Sequence, residues 1–347
     1  MKTKLALFGL ATSVATVASL FAQQPAAAIV KHTAAPAAAV PVAGYVLASG
    51  TVEIRPILGT AGKARLGDPI AAPAGAGRLY LPPRQQYALV ESNSDRPMAV
   101  WNLLETFRKG SLAQAMPIAG SLVHADLVAF SPRGEAAALY SKDSGRLQII
   151  SDFPAKPTLA RELSLSGLGE ASQLALSDDG ARIAAQLTDA RLMYSSQDGR
   201  WQPLSGQYSP AAWSFVPNAH DLVIADPSQD AIAVYRQADG GAYLFSLQEL
   251  RADRLSFTKD GLQLLAASSS DGNLWVVQLP SGTLTSLATG GKLDTLTCLR
   301  DGWTFLLSSS PPLSLVKVVS RAQAEALIPP SSISQVESRP ERHAVLF

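Results

Sequence analysis

A chain of 347 residues that is 47% hydrophobic has material for one large core or two ordinary ones. Charged residues make up only 16% of it and the formal net charge is +1, so the clustered Lys and Arg that neutralise a phosphate backbone are missing. Nucleic acid is therefore excluded as an expected partner, and Cys298, the single cysteine, excludes an internal disulfide.

In chain order, Lys2 and Lys4 precede an apolar, uncharged run from Leu5 to Phe21, followed by Ala22. This pattern predicts an export signal over residues 1–22, cleaved after Ala22 or within Ala26–Ala28. The run is short for a membrane span, which needs about 20 residues. The expected product is periplasmic or secreted, with no transmembrane segment in the mature chain. Losing Lys2 and Lys4 brings the product close to neutrality. Residues 23–41 are rich in Ala and punctuated by Pro25, Pro36 and Pro41, and they read as a flexible leader. The folded region is expected over 42–347.

That region opens with a unit over residues 44–70 that lacks a first strand: Tyr45–Leu47, Val52–Ile57 and the segment around Leu66. Leu79–Leu81, Tyr87–Val90 and Met98–Trp101 supply three strands of a second unit. A regular pattern then recurs roughly every forty residues. Leu-Val-Ala-Phe-Ser-Pro-Arg-Gly ends at Gly134, Gln-Leu-Ala-Leu-Ser-Asp-Asp-Gly at Gly180, and a degenerate Ala-Trp-Ser-Phe-Val-Pro-Asn-Ala at Ala219. Arg-Leu-Ser-Phe-Thr-Lys-Asp-Gly ends at Gly261 and Thr-Leu-Thr-Cys-Leu-Arg-Asp-Gly at Gly302.

Before each turn the alternation of Val128/Phe130, Leu174/Leu176, Trp213/Phe215, Leu255/Phe257 and Leu296/Cys298 predicts a first strand. After it, uniformly apolar runs such as Ile183–Ala185 and Leu264–Ala267 predict second strands covered on both faces. Third strands such as Leu147–Ile150 and Leu274–Val277, and weaker fourth strands such as Leu159–Leu165, complete each unit. A four-stranded unit cannot bury both faces alone, so the copies are expected to stack into a ring. In the tail, Ile333–Val336 and His343–Phe347 are sized to supply the missing first strand. The expected fold is all-β: a single β-propeller of seven four-stranded blades, closed by pairing of its N- and C-terminal segments.

The phrases Phe-Ser-Pro-Arg-Gly, Leu-Ser-Asp-Asp-Gly and Phe-Thr-Lys-Asp-Gly resemble the repeated turn of bacterial exported seven-bladed propellers of the WD40-like, YVTN and TolB-like superfamily. The Gly-His and Trp-Asp pairs of eukaryotic-type WD40 repeats are absent at the corresponding positions. The resemblance implies a binding platform in the bacterial envelope, with lactonases and other enzymes among its relatives. Fold alone does not choose between these.

In this connectivity, loops between second and third strands share one face with the entrances to first strands. The expected interaction face carries Asp95, Arg96, Lys142, Asp143, Asp189, Asp226, Asp230 and Asp271 from the former, and Asp126, Asp253, Arg254 and Asp294 from the latter. Ser, Asp and Gly are also ordinary turn residues, so the same composition serves loop geometry alone. A metal-assisted, lactonase-like hydrolase requires Asp126, Asp189, Asp230 and Asp271 to converge, since hard cations take several oxygen ligands. His32, His124, His220 and His343 show no ligand spacing, and no Gly-x-Ser-x-Gly elbow or phosphate loop occurs. Cys298 is expected to be a core thiol, and Trp101, Trp201, Trp213, Trp275 and Trp303 to pack between blades. The leading expectation is an exported, non-enzymatic binding or assembly scaffold for a protein or peptide, with a small polar ligand as the other occupant. No catalytic residue, metal or cofactor is assigned, and a monomer is expected.

Overall fold

In a computed structural model, the described residues are 41–47, 52–60, 63–109, 114–204, 208–236, 242–248, 250–279, 281–289, 293–309, 313–320 and 323–327. They form seven antiparallel sheets, taken up in strict chain order. The first holds β1 (Val42–Leu47), β2 (Glu53–Leu58), β3 (Arg65–Leu66) and β4 (Ile70–Ala71); the second holds β5 (Ala76–Tyr80), β6 (Tyr87–Ser92), β7 (Ala99–Asn102) and β8 (Met116–Pro117). The third comprises β9 (Leu127–Phe130), β10 (Ala137–Ser141), β11 (Arg146–Ser151) and β12 (Thr158–Ser164). The fourth comprises β13 (Ala171–Leu176), β14 (Ile183–Leu187), β15 (Leu192–Ser195) and β16 (Trp201–Pro203). The fifth runs through β17 (Ala212–Phe215), β18 (Leu222–Asp226), β19 (Ala231–Arg236) and β20 (Ala242–Gln248). The sixth has β21 (Arg254–Phe257), β22 (Gln263–Ala267), β23 (Asn273–Gln278) and β24 (Thr283–Ala288). The seventh has β25 (Thr297–Cys298), β26 (Thr304–Leu306), β27 (Leu315–Ser320) and β28 (Gln323–Leu327).

First strands of the third to seventh sheets touch in turn, β9 with β13, β13 with β17, β17 with β21 and β21 with β25, which places them toward the ring axis. Burial follows radial position. Every residue of β14 and β18 is buried, whereas the outer β12 alternates exposed and half-buried residues. Apolar clusters lie between neighbouring sheets at all seven interfaces. Trp101, Trp213 and Trp275 are buried in three of them, and Cys298 is buried in another, where desolvation pushes its thiol up to about 12.

The recurring turn closes in each case with the same i to i+3 backbone bond: Gly134 to Ser131, Gly180 to Ser177, Gly261 to Thr258 and Gly302 to Leu299, all at 2.9 Å. Gly134 has φ 71°, which a glycine adopts without a Cβ penalty. The degenerate copy keeps the bond, Ala219 to Val216 at 3.1 Å, by moving the left-handed residue back one position to Asn218, φ 57°. Asn tolerates that region better than most non-glycine residues.

The ring closes where the first sheet meets the seventh. Val46 and Ile57 pack with Leu299, Leu306 and Leu315. The edge of β1 facing away from β2 is held by polar groups: Arg300 N–H donates to Ala43 O at 3.1 Å, and the Gln85 amide accepts from Tyr45 N–H at 2.6 Å and donates to Tyr45 O at 2.9 Å. The N–H and C=O of Tyr45 both point away from β2, and Gln85 takes them as a neighbouring strand would. The tail segments expected to fill this position lie outside the described residues; a strand added along this edge has to displace the Gln85 amide. Gly44 permits the close approach, since a Cβ there would stand 2.6 Å from Gln85 Oε1 and 2.7 Å from Leu299 Cδ2. Gly44→Val is accordingly expected to cost about 1–3 kcal/mol in chemical denaturation, the usual penalty of overpacking.

Four elements depart from the sequence reading. β4 is a further strand on β2, β8 and β28 supply fourth strands that the pattern did not reveal, and α1 (Leu103–Lys109) is a short helix between β7 and β8. Asn102 caps it, its Oδ1 accepting from Glu105 N–H at 3.0 Å, while Leu103 is buried against the first sheet's core.

Candidate functional site

The loops expected to form an interaction face are fastened by their own carboxylates. Asp126, just before β9, accepts from Lys142 N–H at 2.7 Å, the first residue after β10. Asp253, before β21, accepts from Ser269 N–H at 3.0 Å and from the Ser269 hydroxyl. Asp294, before β25, accepts from Ser309 N–H at 2.9 Å. The fifth sheet reverses the arrangement: buried Asp226, ending β18, accepts from Ser209 N–H at 2.8 Å and Ser228 N–H at 2.9 Å. Charge-assisted bonds of this kind hold a loop tip against the start of its own sheet.

The other candidates are similarly engaged or stand apart. Asp189 pairs with Arg191 at 2.7 Å, whose side-chain and backbone N–H groups hold its carboxyl below the usual aspartate range. Asp230 pairs with Arg251 at 2.6 Å, and Asp271 accepts from the Ser268 and Ser270 hydroxyls at 3.2 and 3.0 Å. Asp126, Asp189, Asp230 and Asp271 are thus each bound within their own blade, and the convergence a metal-assisted hydrolase needs is not formed. Among the described residues, no group of three or more His, Cys, Asp or Glu side chains is placed to hold a metal ion. Asp95, Arg96, Lys142 and Asp143 are exposed, whereas Arg254 is half-buried on β21 with its Nε buried and unbonded.

Between the fourth and fifth sheets this face opens into a cleft of about 470 Å³. Leu192, Pro203, Leu204 and Tyr208 give it an apolar side; Asp189 and Arg191 stand on its rim, with Ser228 and Gln229 of the neighbouring loop. Leu192 and Leu204 belong to the core between those sheets, and Tyr208 meets Tyr235 edge-on at 5.8 Å. The cleft lies between two consecutive blades, its lining running from Asp189 to Gln229; only Asp189 was among the expected site residues.

A second unforeseen constellation lies between the second and third sheets. Glu91 is buried; it accepts from the Tyr80 hydroxyl at 2.7 Å and from His124 Nδ1, while the His124 side chain is 59% exposed. Burial, then the bond to Glu91, pushes the Tyr80 hydroxyl up to about 12, so it remains a donor. Each Glu91 oxygen thereby has a partner.

On the opposite face, made of the turns between first and second strands, side chains tie blade to blade. Asp178 accepts from Arg133 N–H at 2.7 Å and Asn218 N–H at 2.9 Å, joining the turns of three sheets. Arg84 donates its N–H to Cys298 O at 3.3 Å and Nη2 to Lys259 O at 3.1 Å, and lies within electrostatic reach of Arg133, Glu135 and Asp178. A residue of the second sheet that meets the third, fourth, sixth and seventh stands on the ring axis. Burial, and then the Arg133 charge, lower its pKa.

Beside it, desolvation of Asp179 is outweighed by bonds from the Ser177 hydroxyl at 2.6 Å, Ala181 N–H at 3.0 Å and His220 Nε2 at 2.8 Å, so its folded pKa lies below the ordinary value. The resulting stability is present above the unfolded-state pKa and is lost as pH falls through the folded one. Asp179→Asn is expected to flatten the acid limb of Tm against pH; an unchanged limb would contradict this.

No helix among the described residues is long and apolar enough to cross a membrane. No protein-family model and no curated protein matches this sequence, and what the structure shows is a seven-bladed β-propeller fold.

Proposed function

We propose that this chain is an exported, non-enzymatic binding or assembly scaffold that engages a protein or peptide through its polar loop face. The observation that carries this reading is the fastening of four loops by Asp126, Asp226, Asp253 and Asp294 on one face, where the cleft between the fourth and fifth sheets also opens. Prefastened loops lose little conformational entropy on binding, which favours recognition by a rigid surface. The modest charge content suits docking by local shape more than long-range capture. The basic start, apolar run and Ala22 support passage out of the cytoplasm.

Site-specific photo-crosslinking in the native host tests the reading. Probes replacing Asp143 and Gln229 on the polar loop face are expected to yield discrete protein adducts, and probes replacing Asp260 and Asp301 on the opposite face are not. Adducts from the opposite face alone, or from neither, would overturn it. Amino-terminal sequencing of the chain from that host is expected to begin at Gln23 or shortly after it; recovery of Met1 from the cytosolic fraction would defeat the export claim.

A further inference from the structure

We propose that Arg84 binds a small oxyanion, a carboxylate or an inorganic phosphate or sulfate, at the ring axis among the turns between first and second strands. The site lies on the face that the scaffold reading does not use, so the two stand independently. Arg84 is 8% exposed and forms no ion pair among the described residues. Its Nη2 donates to Lys259 O at 3.1 Å. Nε and Nη1 have no partner among the described residues, and neither is fully enclosed, so both remain open to solvent. The backbone is clamped in this placement. Arg84 has φ 62° and Gln85 φ 43°, two consecutive left-handed residues without a glycine, a conformation that persists only where surrounding contacts impose it. Arg84 N–H donates to Cys298 O at 3.3 Å on one side, and a Cβ on Gly134 would stand 2.8 Å from Pro83 O on the other.

The surrounding charges leave Arg84 without a counter-ion. Arg133 stands within electrostatic reach as a second guanidinium, with its own Nε buried and unbonded. Two carboxylates lie in the same reach, and both are committed elsewhere. Asp178 accepts from Arg133 N–H at 2.7 Å and Asn218 N–H at 2.9 Å, and Glu135 pairs with Arg133 Nη2 at 2.9 Å. A buried cation without a hydrogen-bonded anion is costly, and a second cation nearby adds to that cost. An oxyanion at Nε and Nη1 of Arg84 supplies charge-assisted bonds to donors that have none and offsets the repulsion from Arg133.

The test follows the Arg side-chain Nε–H resonances of the full mature chain by NMR during titration with phosphate, sulfate and acetate, at an ionic strength fixed with chloride. The Arg84 resonance is expected to move saturably with at least one of them, half-complete below about 10 mM. Exposed Arg200 is expected to show no saturation. Arg84→Met keeps the aliphatic stem and removes the charge, so the thermal stabilisation that the same anion gives the parent is expected to weaken at least tenfold. That variant is expected to unfold near the parent temperature without oxyanion, which separates a lost site from a lost fold; if it fails to fold, the Arg84 resonance alone decides. Phosphate or sulfate binding at least tenfold tighter than acetate identifies an inorganic ligand, and acetate binding as tightly identifies a carboxylate. No saturation of Arg84 by any of the three, or stabilisation of Arg84→Met equal to that of the parent, overturns the proposal. Crosslinks from Asp143 and Gln229 would persist in that case, and the scaffold reading would stand.

Discussion

Replacing Gln85 with alanine is expected to lower the unfolding free energy by about 2–5 kcal/mol, although Gln85 is neither apolar nor catalytic. Its side chain is 1% exposed and holds both backbone groups of Tyr45, itself 1% exposed. Removal leaves a buried N–H and a buried C=O with no partner on that edge of β1, each costing about 1–3 kcal/mol. Ordered water admitted to the space would bring the loss toward the lower bound. Gln85→Glu discriminates further, because a carboxylate still accepts from Tyr45 N–H but sets a charged oxygen against Tyr45 O in a buried site, and a loss at least as large as that of Gln85→Ala is expected. Urea denaturation of the three proteins measures the series. Equal stability would mean that Gln85 does not hold the seam.

Tyr87→Ala is expected to cost about 3–5 kcal/mol, in the range of a fully buried aromatic deletion. The Tyr87 ring stacks on Phe153 at 4.7 Å, meets Phe130 edge-on at 6.2 Å, and donates its hydroxyl to Gly134 O at 2.9 Å. It thereby fills the space between the second and third sheets and ties the turn of one to the other. Tyr87→Phe keeps the packing and leaves only the Gly134 carbonyl unpaired, so about 1–2 kcal/mol is expected. A Phe variant as damaged as the Ala variant would assign the effect to the hydrogen bond instead of the packing.

What could be read from the chain, and what could not, divides by distance along it. Second strands such as Ile183–Leu187 and Leu222–Asp226 are buried on both faces, so their composition alone marks them. The turns ending at Gly134, Gly180, Gly261 and Gly302 are local, and each keeps its own backbone bond. β28, Gln-Ala-Glu-Ala-Leu, has the composition of a helix; pairing with β27 overrides that preference. The short helix after β7 carried a readable signal, Asn102 followed three residues later by Glu105, within a stretch whose alternation otherwise pointed to strands.

At the candidate site the individual carboxylates were legible and their employment was not. Asp126 and Lys142, or Glu91 and His124, meet only after sheets are in register and stacked. The same holds for the cleft, whose apolar side comes from the end of the fourth sheet and whose far rim comes from a loop of the fifth. The seam is the extreme case. Gln85 lies in Pro-Pro-Arg-Gln-Gln, a stretch that reads as loop, and its role depends on the missing Cβ of Gly44.

Methyl NOE spectroscopy on protein with labelled Ile, Leu and Val side chains is the most direct measurement of whether the seven sheets form a closed ring. Cross-peaks are expected between Val46 or Ile57 of the first sheet and Leu299, Leu306 or Leu315 around the seventh, as strong as those joining Val223 to Leu264 between the fifth and sixth. Cross-peaks at the six other junctions with none at this one would show an open array and contradict the account.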